Sequence, residues 1–515
     1  MIKTREKPDV LPSLTAVYIL ILFTFPSLSA LDHNVGPSQP LGSIGDVPWE
    51  SLEAGDRVRI HYRSSPYYEK WVVCGEGTSN APIIVEGVPG VNGELPVISG
   101  ENAVTRLSLD FWSESRGIVK IGGSSTPSNI ASHIIIRNLD IRSGRPAYSF
   151  TDDSGDTYAY TDNCAAVFIE NGSHIVIENC YLHDCGNGLF AAYQASDVMV
   201  NACSLYDNGI ESSIFEHNNY TEAQGIVFQF NYFGPLRTGC SGNNLKDRSA
   251  GLEVRYNWIE SGNRQLDLVD SSHLNGHTDY GETFVYGNIL VEHEGDGNSQ
   301  IVHFGGDSDS PADYRGHLYF YHNTVISTRT GNTTFVRLST DAQVCRASNN
   351  ILYVSESGSL LAVSDSAGDL HLGSNFIKPG WKETHGTLTG NVYIDAPAIE
   401  EASPGFENES AHNYRIIETS PCKDAGISLP AACSDHKPEY HYIRHRLAQI
   451  RITEGAASDI GAYEWYPESE SDSDISVHGG CAYSGDTKKK WLFTIIITAA
   501  AAGAAVILLN ERKRQ

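Results

Sequence analysis

The chain has 515 residues, with 36 Lys and Arg against 63 Asp and Glu and a net charge of −27 at neutral pH. This balance excludes nonspecific nucleic-acid binding, which needs a basic face, so an anionic substrate would require a local basic patch or a bound cation. Ten cysteines with no paired Cys-x-x-Cys spacing exclude a zinc-ribbon framework.

In chain order, Lys3, Arg5 and Lys7 precede an apolar run from Ala16 to Phe25, then Pro26 and the small residues Ser27, Ser29 and Ala30. Residues 1–30 therefore read as a secretory signal peptide, which makes this an exported chain in which disulfides are permitted. On that footing Cys422 and Cys433 can close a short loop. Cys180 and Cys203 fall at equivalent repeat positions, which admits either stacked thiols or a bridge.

Residues 31–466 contain no linker and read as one elongated repeat domain. Gly55-Asp56-Arg57-Val58, then Ala81 to Val85 and Leu95 to Gly100, supply the opening coils. From Ile134 a unit recurs: a short β-type run, an asparagine, and another apolar residue. Asn138, Asn179, Asn231, Asn257, Asn288, Asn323 and Asn350 mark equivalent turns, where amides that donate and accept can form a ladder. A second short strand precedes each copy. Two brief strands per repeat, rich in Val, Ile and Phe, predict an all-β coil of stacked parallel sheets.

Aligning the first strands places Ile118, Val167, Leu189, Ile214, Leu245, Leu266, Ile301, Val336 and Leu361 in an inward column. The next column points outward: Val119, Phe168, Phe190, Phe215, Lys246, Asp267, Val302, Arg337 and Ala362. Neighbouring coils stack ~4.8 Å apart, which sets Lys246 beside Asp267. Two positions further, His217, Arg248 and Val269 also face outward, and the following loop brings Asp270, His273 and His277. Alternation sends Glu216, Asp247 and His303 inward.

This island suits chemistry on an acidic sugar. A like charge from Arg248 lowers the Lys246 pKa toward that of a general base. Arg248, Arg264 or Arg337 can stabilise the charge developing on a uronate, with His217, His273, His277 and Arg337 contacting substrate. Asp267 and Asp270 offer oxygen ligands to a hard cation such as Ca²⁺. The same two carboxyls are the pair a glycoside hydrolase would need. An ordinary surface ion pair between Lys246 and Asp267 is the structural alternative.

Near the end, Ser420 to Gly426 and Asp459 to Glu464 read as the closing cap. Residues 467–490 form an acidic Ser/Asp spacer that contains Gly479-Gly480-Cys481. Residues 491–509 are apolar enough to span a bilayer as a helix, and 510–515 make a basic cytoplasmic tail.

The opening and closing segments of residues 45 to 466 resemble those of bacterial secreted right-handed parallel β-helix proteins of the pectate-lyase type. The resemblance implies a right-handed parallel β-helix solenoid that acts on polysaccharide. Asn243-Asn244-Leu245-Lys246-Asp247-Arg248-Ser249, followed by Arg264, is similar to the Lys-then-Arg arrangement of chondroitinase B and alginate lyase types. That similarity implies β-elimination, with Lys246 as base and Arg264 as acid or charge stabiliser. Where those enzymes carry calcium-binding glutamates, this chain has Gly239 and Ser241. The tail resembles C-terminal sorting tails of bacterial surface proteins, which implies a surface-tethered location, reached either by a sorting protease acting at Gly479-Gly480-Cys481 or by the uncut helix as a permanent anchor. A hydrolase, an epimerase, and a non-catalytic glycan-binding or structural β-helix remain open alternatives.

Overall fold

The computed structural model describes residues 30–355 and 360–467, with the backbone of the paired strands Val477–Ala482 and Leu492–Ile497. The signal-peptide reading of 1–29 and most of the spacer, span and tail lie outside the described residues. Leu492–Ile497, expected inside a membrane-spanning helix, is instead a strand antiparallel to Val477–Ala482. Among the described residues no helix is long and apolar enough to cross a membrane.

Each full coil contributes three strands. On the first face Gly117–Ile121, the opening parts of Ala165–Glu178 and Asn187–Asn201, Asn219–Thr221, Leu245–Asp247, Leu266–Leu268, Gln300–Phe304, Thr333–Leu338 and Leu361–Ser366 stack in parallel. The second face runs from Asp32–Val35, Arg57–His61 and Ile83–Val88 through Ala131–Arg137, Gln224–Gln229 and Ala250–Arg255 to Asp369–Leu372 and Asn391–Ile394. The third, a ten-stranded sheet, begins at Val97–Ser99 and ends at Phe376–Ile377. Ala165–Glu178 and Asn187–Asn201 pass the corner unbroken and merge the first two faces.

The expected two strands per repeat are therefore three, because the residue before each ladder asparagine from Asn231 to Asn350 bends the chain sharply. Phe230, Tyr256, Gly287, His322 and Asn349 all have φ between 50° and 67°. Such left-handed backbone ends one strand and begins another on a new face. The ladder itself is present from Asn231 through Asn257, Asn288, Asn323 and Asn350 to Asn375, with side-chain Nδ2 to Oδ1 distances of 2.9–3.2 Å. Asn138 and Asn179 bond to each other at 2.8 Å but sit one position earlier, in the left-handed slot. The ladder position holds Leu139 and Cys180 in those coils and Cys203 in the next, where Ala202 takes the left-handed slot. The Cys203 N–H donates to Asn231 Oδ1 (2.8 Å) and the Cys180 N–H to Cys203 Sγ (3.5 Å). All nine described cysteines are free, so Cys422 and Cys433 do not bridge; they pack in separate clusters, against Ile351 and Phe376 and against Tyr319 and Tyr321.

Apolar side chains from all three faces fill the interior, from Val58 to Leu372, and each coil buries its share only against the next. The segment 399–467 does not cap the far end as expected. It lies back along the second and third faces: Tyr256 Oη donates to the Lys437 carbonyl (3.1 Å), the Ala462 N–H to Thr324 Oγ1 (3.0 Å), and Arg446 to Tyr181 Oη (2.6 Å). It covers aromatic surface that stacking alone leaves open, Trp258 against Tyr414 and Tyr442, and Phe284 under His436. These contacts are all with the second and third faces, so the first stays open.

Candidate functional site

The outward column of the first face follows from its strand register: Lys120, Phe168, Phe190, Tyr220, Lys246, Asp267, His303, Arg337, Asp365. Five members match the sequence expectation, among them the Lys246–Asp267 pairing. Four positions are corrected: Lys120 replaces Val119, Tyr220 replaces Phe215, His303 replaces Val302, and Asp365 replaces Ala362. The largest slip arose because Ser212 to His217 is no strand. That loop swings outward, leaving Ile214 and Phe215 59% and 72% exposed, and the chain rejoins the face at Asn219–Thr221. One-residue slips elsewhere sent His303 inward on paper, and in the fold it faces out.

Asp267 is the hub. It is 2% exposed, and Oδ2 accepts from Lys246 Nζ (2.9 Å) and Asn243 Nδ2 (2.6 Å), while Oδ1 pairs with His303 Nδ1 (2.7 Å) and lies 3.9 Å from Arg264. Burial opposes the Asp267 charge, yet His303 and Lys246 together hold its carboxyl far below the usual range. A carboxylate only accepts, so Nδ1 of His303 carries a proton toward Asp267, and Nε2 is the ring nitrogen on the opposite side. Ser339 Oγ is hydrogen-bonded to that Nε2 at 2.7 Å.

Lys246 is not the depressed lysine expected. Burial works against its charge, but Asp267 and Asp307 raise its pKa above the ordinary value. Asp307 Oδ2 lies 2.8 Å from Lys246 Nζ and 2.7 Å from Arg248, so the carboxylate stands between the cations whose repulsion was to lower it. Arg248 also donates to Tyr220 Oη (3.1 Å) and to the Asp270 carbonyl (2.5 Å). Lys246 is thus a fixed positive charge at neutral pH, unsuited to removing a proton.

Arg264 donates twice to Gln300 Oε1, at 3.3 and 2.9 Å. Burial, reinforced by nearby Arg337 and opposed by Asp267, lowers its pKa. Arg337 neighbours His303 in the column, and among the described residues it has no ion-pair partner within 4.0 Å; its Nε is buried without a hydrogen bond.

The remaining expected residues separate. His217 is 2% exposed and lies beneath the face; Nδ1 accepts the Asn243 N–H at 2.9 Å, and burial, then the Lys246 charge, pushes its pKa down to about 3. It positions the strand carrying Lys246 and is too buried to reach substrate. His273 bonds Glu222 (2.9 Å) and stacks on Tyr193 at 4.2 Å, at the corner of the first and second faces. His277 accepts the Asp279 N–H (3.3 Å) in the loop beyond. Asp270 is fully buried, with Oδ1 accepting the Arg315 N–H (3.0 Å) and its pKa raised by burial.

Asp267 and Asp270 do not fit a calcium site, because both Asp267 oxygens are already taken by donors. Among the described residues the carboxylates that converge within 4.8 Å are Glu114, Asp152 and Asp153. Asp247 behaves as expected for an inward group, accepting from Thr221 (2.6 Å) and Ser249 (2.8 Å) next to Arg315. Glu216 is buried on the outward loop and in no strand.

Sequence reasoning missed Ser339 and Asp307, sent His303 inward, and gave Asn243 no role of its own. One signal was readable: Gly305-Gly306-Asp307, all with φ between 68° and 80°, is a left-handed turn that folds Asp307 back over the face.

The fold and strand register define a parallel β-helix. No family model matches the sequence, and no curated protein matches it. Similar solved structures include an alginate lyase from Paenibacillus sp. str. FPU-7, 12% identical with a TM-score of 0.41, covering 67% of this chain and 95% of that one. A pectate lyase is 12% identical with a TM-score of 0.32, covering 85% and 97%. A lacto-N-biosidase from Eubacterium ramulus is 12% identical with a TM-score of 0.35, covering 72% and 67%.

Proposed function

We propose that the chain acts on an acidic polysaccharide lying across the coils of its first face, and that the reaction is β-elimination with His303 as the base. The observation that carries this is the arrangement around His303. A carboxylate fixes its Nδ1, Nε2 bonds Ser339 Oγ on the other side, Lys246 and Arg264 flank that carboxylate, and Arg337 is the next residue of the column. Removing the proton next to a uronate carboxylate builds negative charge, and fixed cations in a partly desolvated site stabilise it without reorganising. Arg337 is the cation best placed to take the carboxylate, since no described carboxylate neutralises it. Phe190 and Tyr220, edge to face at 5.3 Å in the adjoining coils, extend the face with ring surface suited to sugars.

The assignment moves the base from Lys246 to His303 and makes Lys246 a charge stabiliser. A hydrolase using Asp267 and Asp270 is less favoured, because one carboxylate is held ionised by its donors and the other is sealed from solvent.

The test is ultraviolet absorbance of the unsaturated uronate end, with a panel of polyuronates and uronate-containing glycans. Elimination is expected with at least one of them, abolished by His303→Gln, with KM raised at least about tenfold by Arg337→Ala. Reducing ends without unsaturation would replace elimination with hydrolysis. Binding without either product would leave a glycan-binding β-helix.

A further inference from the structure

The residue on the far side of His303 has no part in elimination. Ser339 Oγ is 2.7 Å from His303 Nε2, and His303 Nδ1 is 2.7 Å from Asp267 Oδ1. Hydroxyl, imidazole and carboxylate thus stand in line through both ring nitrogens, in the order that activates a serine. The three come from successive coils of the first face, Asp267 in Leu266–Leu268, His303 in Gln300–Phe304, and Ser339 just past Thr333–Leu338, so the solenoid stacking sets their spacing. Asp267 is almost fully buried and its charge is held by its donors, whereas Ser339 is half-buried and reachable.

The cover over the pair is equally specific. A side chain at Gly306 would place its first carbon 2.8 Å from Ser339 Oγ and 3.2 Å from His303 Nε2. Only a glycine, here with φ of 80°, leaves the Ser–His pair uncovered on that side.

We propose that Ser339, His303 and Asp267 form an acyl-transfer site that removes O-acyl groups, such as acetyl esters, from the hydroxyls of a glycan on this face. Ser339 Oγ attacks the ester carbonyl while its proton passes to His303 Nε2. The carbonyl becomes an oxyanion, for which Arg337, the column neighbour of His303, is the available cation. When the intermediate collapses, the carbon–oxygen bond to the sugar breaks and His303 returns the proton to the departing sugar hydroxyl. Water, deprotonated by His303, then attacks the acyl-serine, releasing the carboxylic acid and restoring Ser339. The site shares His303 with the proposed elimination but needs no uronate, so the two readings stand or fall separately.

The experiment exposes the intact protein to a fluorophosphonate probe, locates the adduct by peptide mass spectrometry, and follows p-nitrophenyl acetate hydrolysis in parallel. A single adduct on Ser339 is expected, with ester hydrolysis that Ser339→Ala removes, and with both labelling and hydrolysis slowed at least about 100-fold in His303→Gln. Labelling of the unaltered protein needs no variant to fold. An unlabelled Ser339, or a labelling rate unchanged by His303→Gln, would overturn the proposal. If unsaturated uronate forms while Ser339 stays unlabelled, the acyl-transfer site fails alone; if Ser339 is labelled and no unsaturation appears, elimination fails alone.

Discussion

Asp267 orders its neighbours because it is the one acceptor that Lys246, Asn243 and His303 share. Asp267→Asn keeps the shape but offers an amide where a carboxylate stood, so the His303 ring loses its fixed orientation and Lys246 keeps only Asp307. Removing one partner of a buried pair costs about 3 kcal/mol at the low end, and that figure is expected here because Lys246 retains Asp307. Urea denaturation would read it, and activity dependent on His303 should fall about 100- to 10,000-fold.

Buried imidazoles give a second prediction at this scale. The His217 pKa is about 3 in the fold and ~6.5 in the unfolded chain, and His322 and His441 are likewise lowered by burial and by Arg451. The unfolded chain therefore binds more protons below pH ~6.5. The stability these residues contribute is fully present above that value and is lost as pH falls toward the folded values. Glu292, raised to about 8 by burial, works in the opposite sense between its unfolded value and 8. Comparing the parent with His217→Gln isolates one imidazole: the variant should lose less stability between pH 7 and pH 5, and an equal loss would contradict the assignment. In the sequence, Lys246 beside Asp267 was legible because both lie in clear Leu-x-Leu or Leu-x-Asp alternations. His303 was not, since every residue of Gln300–Phe304 is buried and the alternation that marks inside from outside is missing.

At the scale of elements, the asparagine ladder was the most legible feature, since its spacing repeats the length of a coil. Its geometry was less so: the sequence cannot show that the residue before each asparagine turns left-handed, and hence that a third strand follows. Asn288 Oδ1 accepts the Asn257 N–H (2.9 Å), and its Nδ2 donates to the Val254 carbonyl (2.8 Å) and Asn323 Oδ1 (2.9 Å). Asn288→Ala would leave a fully buried N–H without a partner, a loss of about 1–3 kcal/mol. A surface substitution such as Asn391→Ala should stay within about 0.5 kcal/mol, and similar losses in both would show that the ladder contributes nothing special.

For the whole molecule, the deciding feature is the path of residues 399–467. Composition and motifs placed these residues at the end of the chain but could not show that they return along its side. Their apolar residues pair with the outward aromatics of distant coils, which no local pattern displays. A chain ending at residue 398 would uncover Phe230, Tyr256, Tyr286, Tyr321 and Trp258, all buried in the intact protein. It should bind a hydrophobic dye and self-associate, as large exposed apolar patches do. Because the return segment covers the second and third faces, a long polymer is left the first face to lie on, where charge and aromatic rings share one column.

The most direct test of this account follows product formation from an acidic glycan by the intact protein, His303→Gln and Arg337→Ala side by side. The account predicts unsaturated uronate from the intact protein, none from His303→Gln, and a raised KM for Arg337→Ala. Equal turnover by all three would place the chemistry elsewhere on the coil and contradict it.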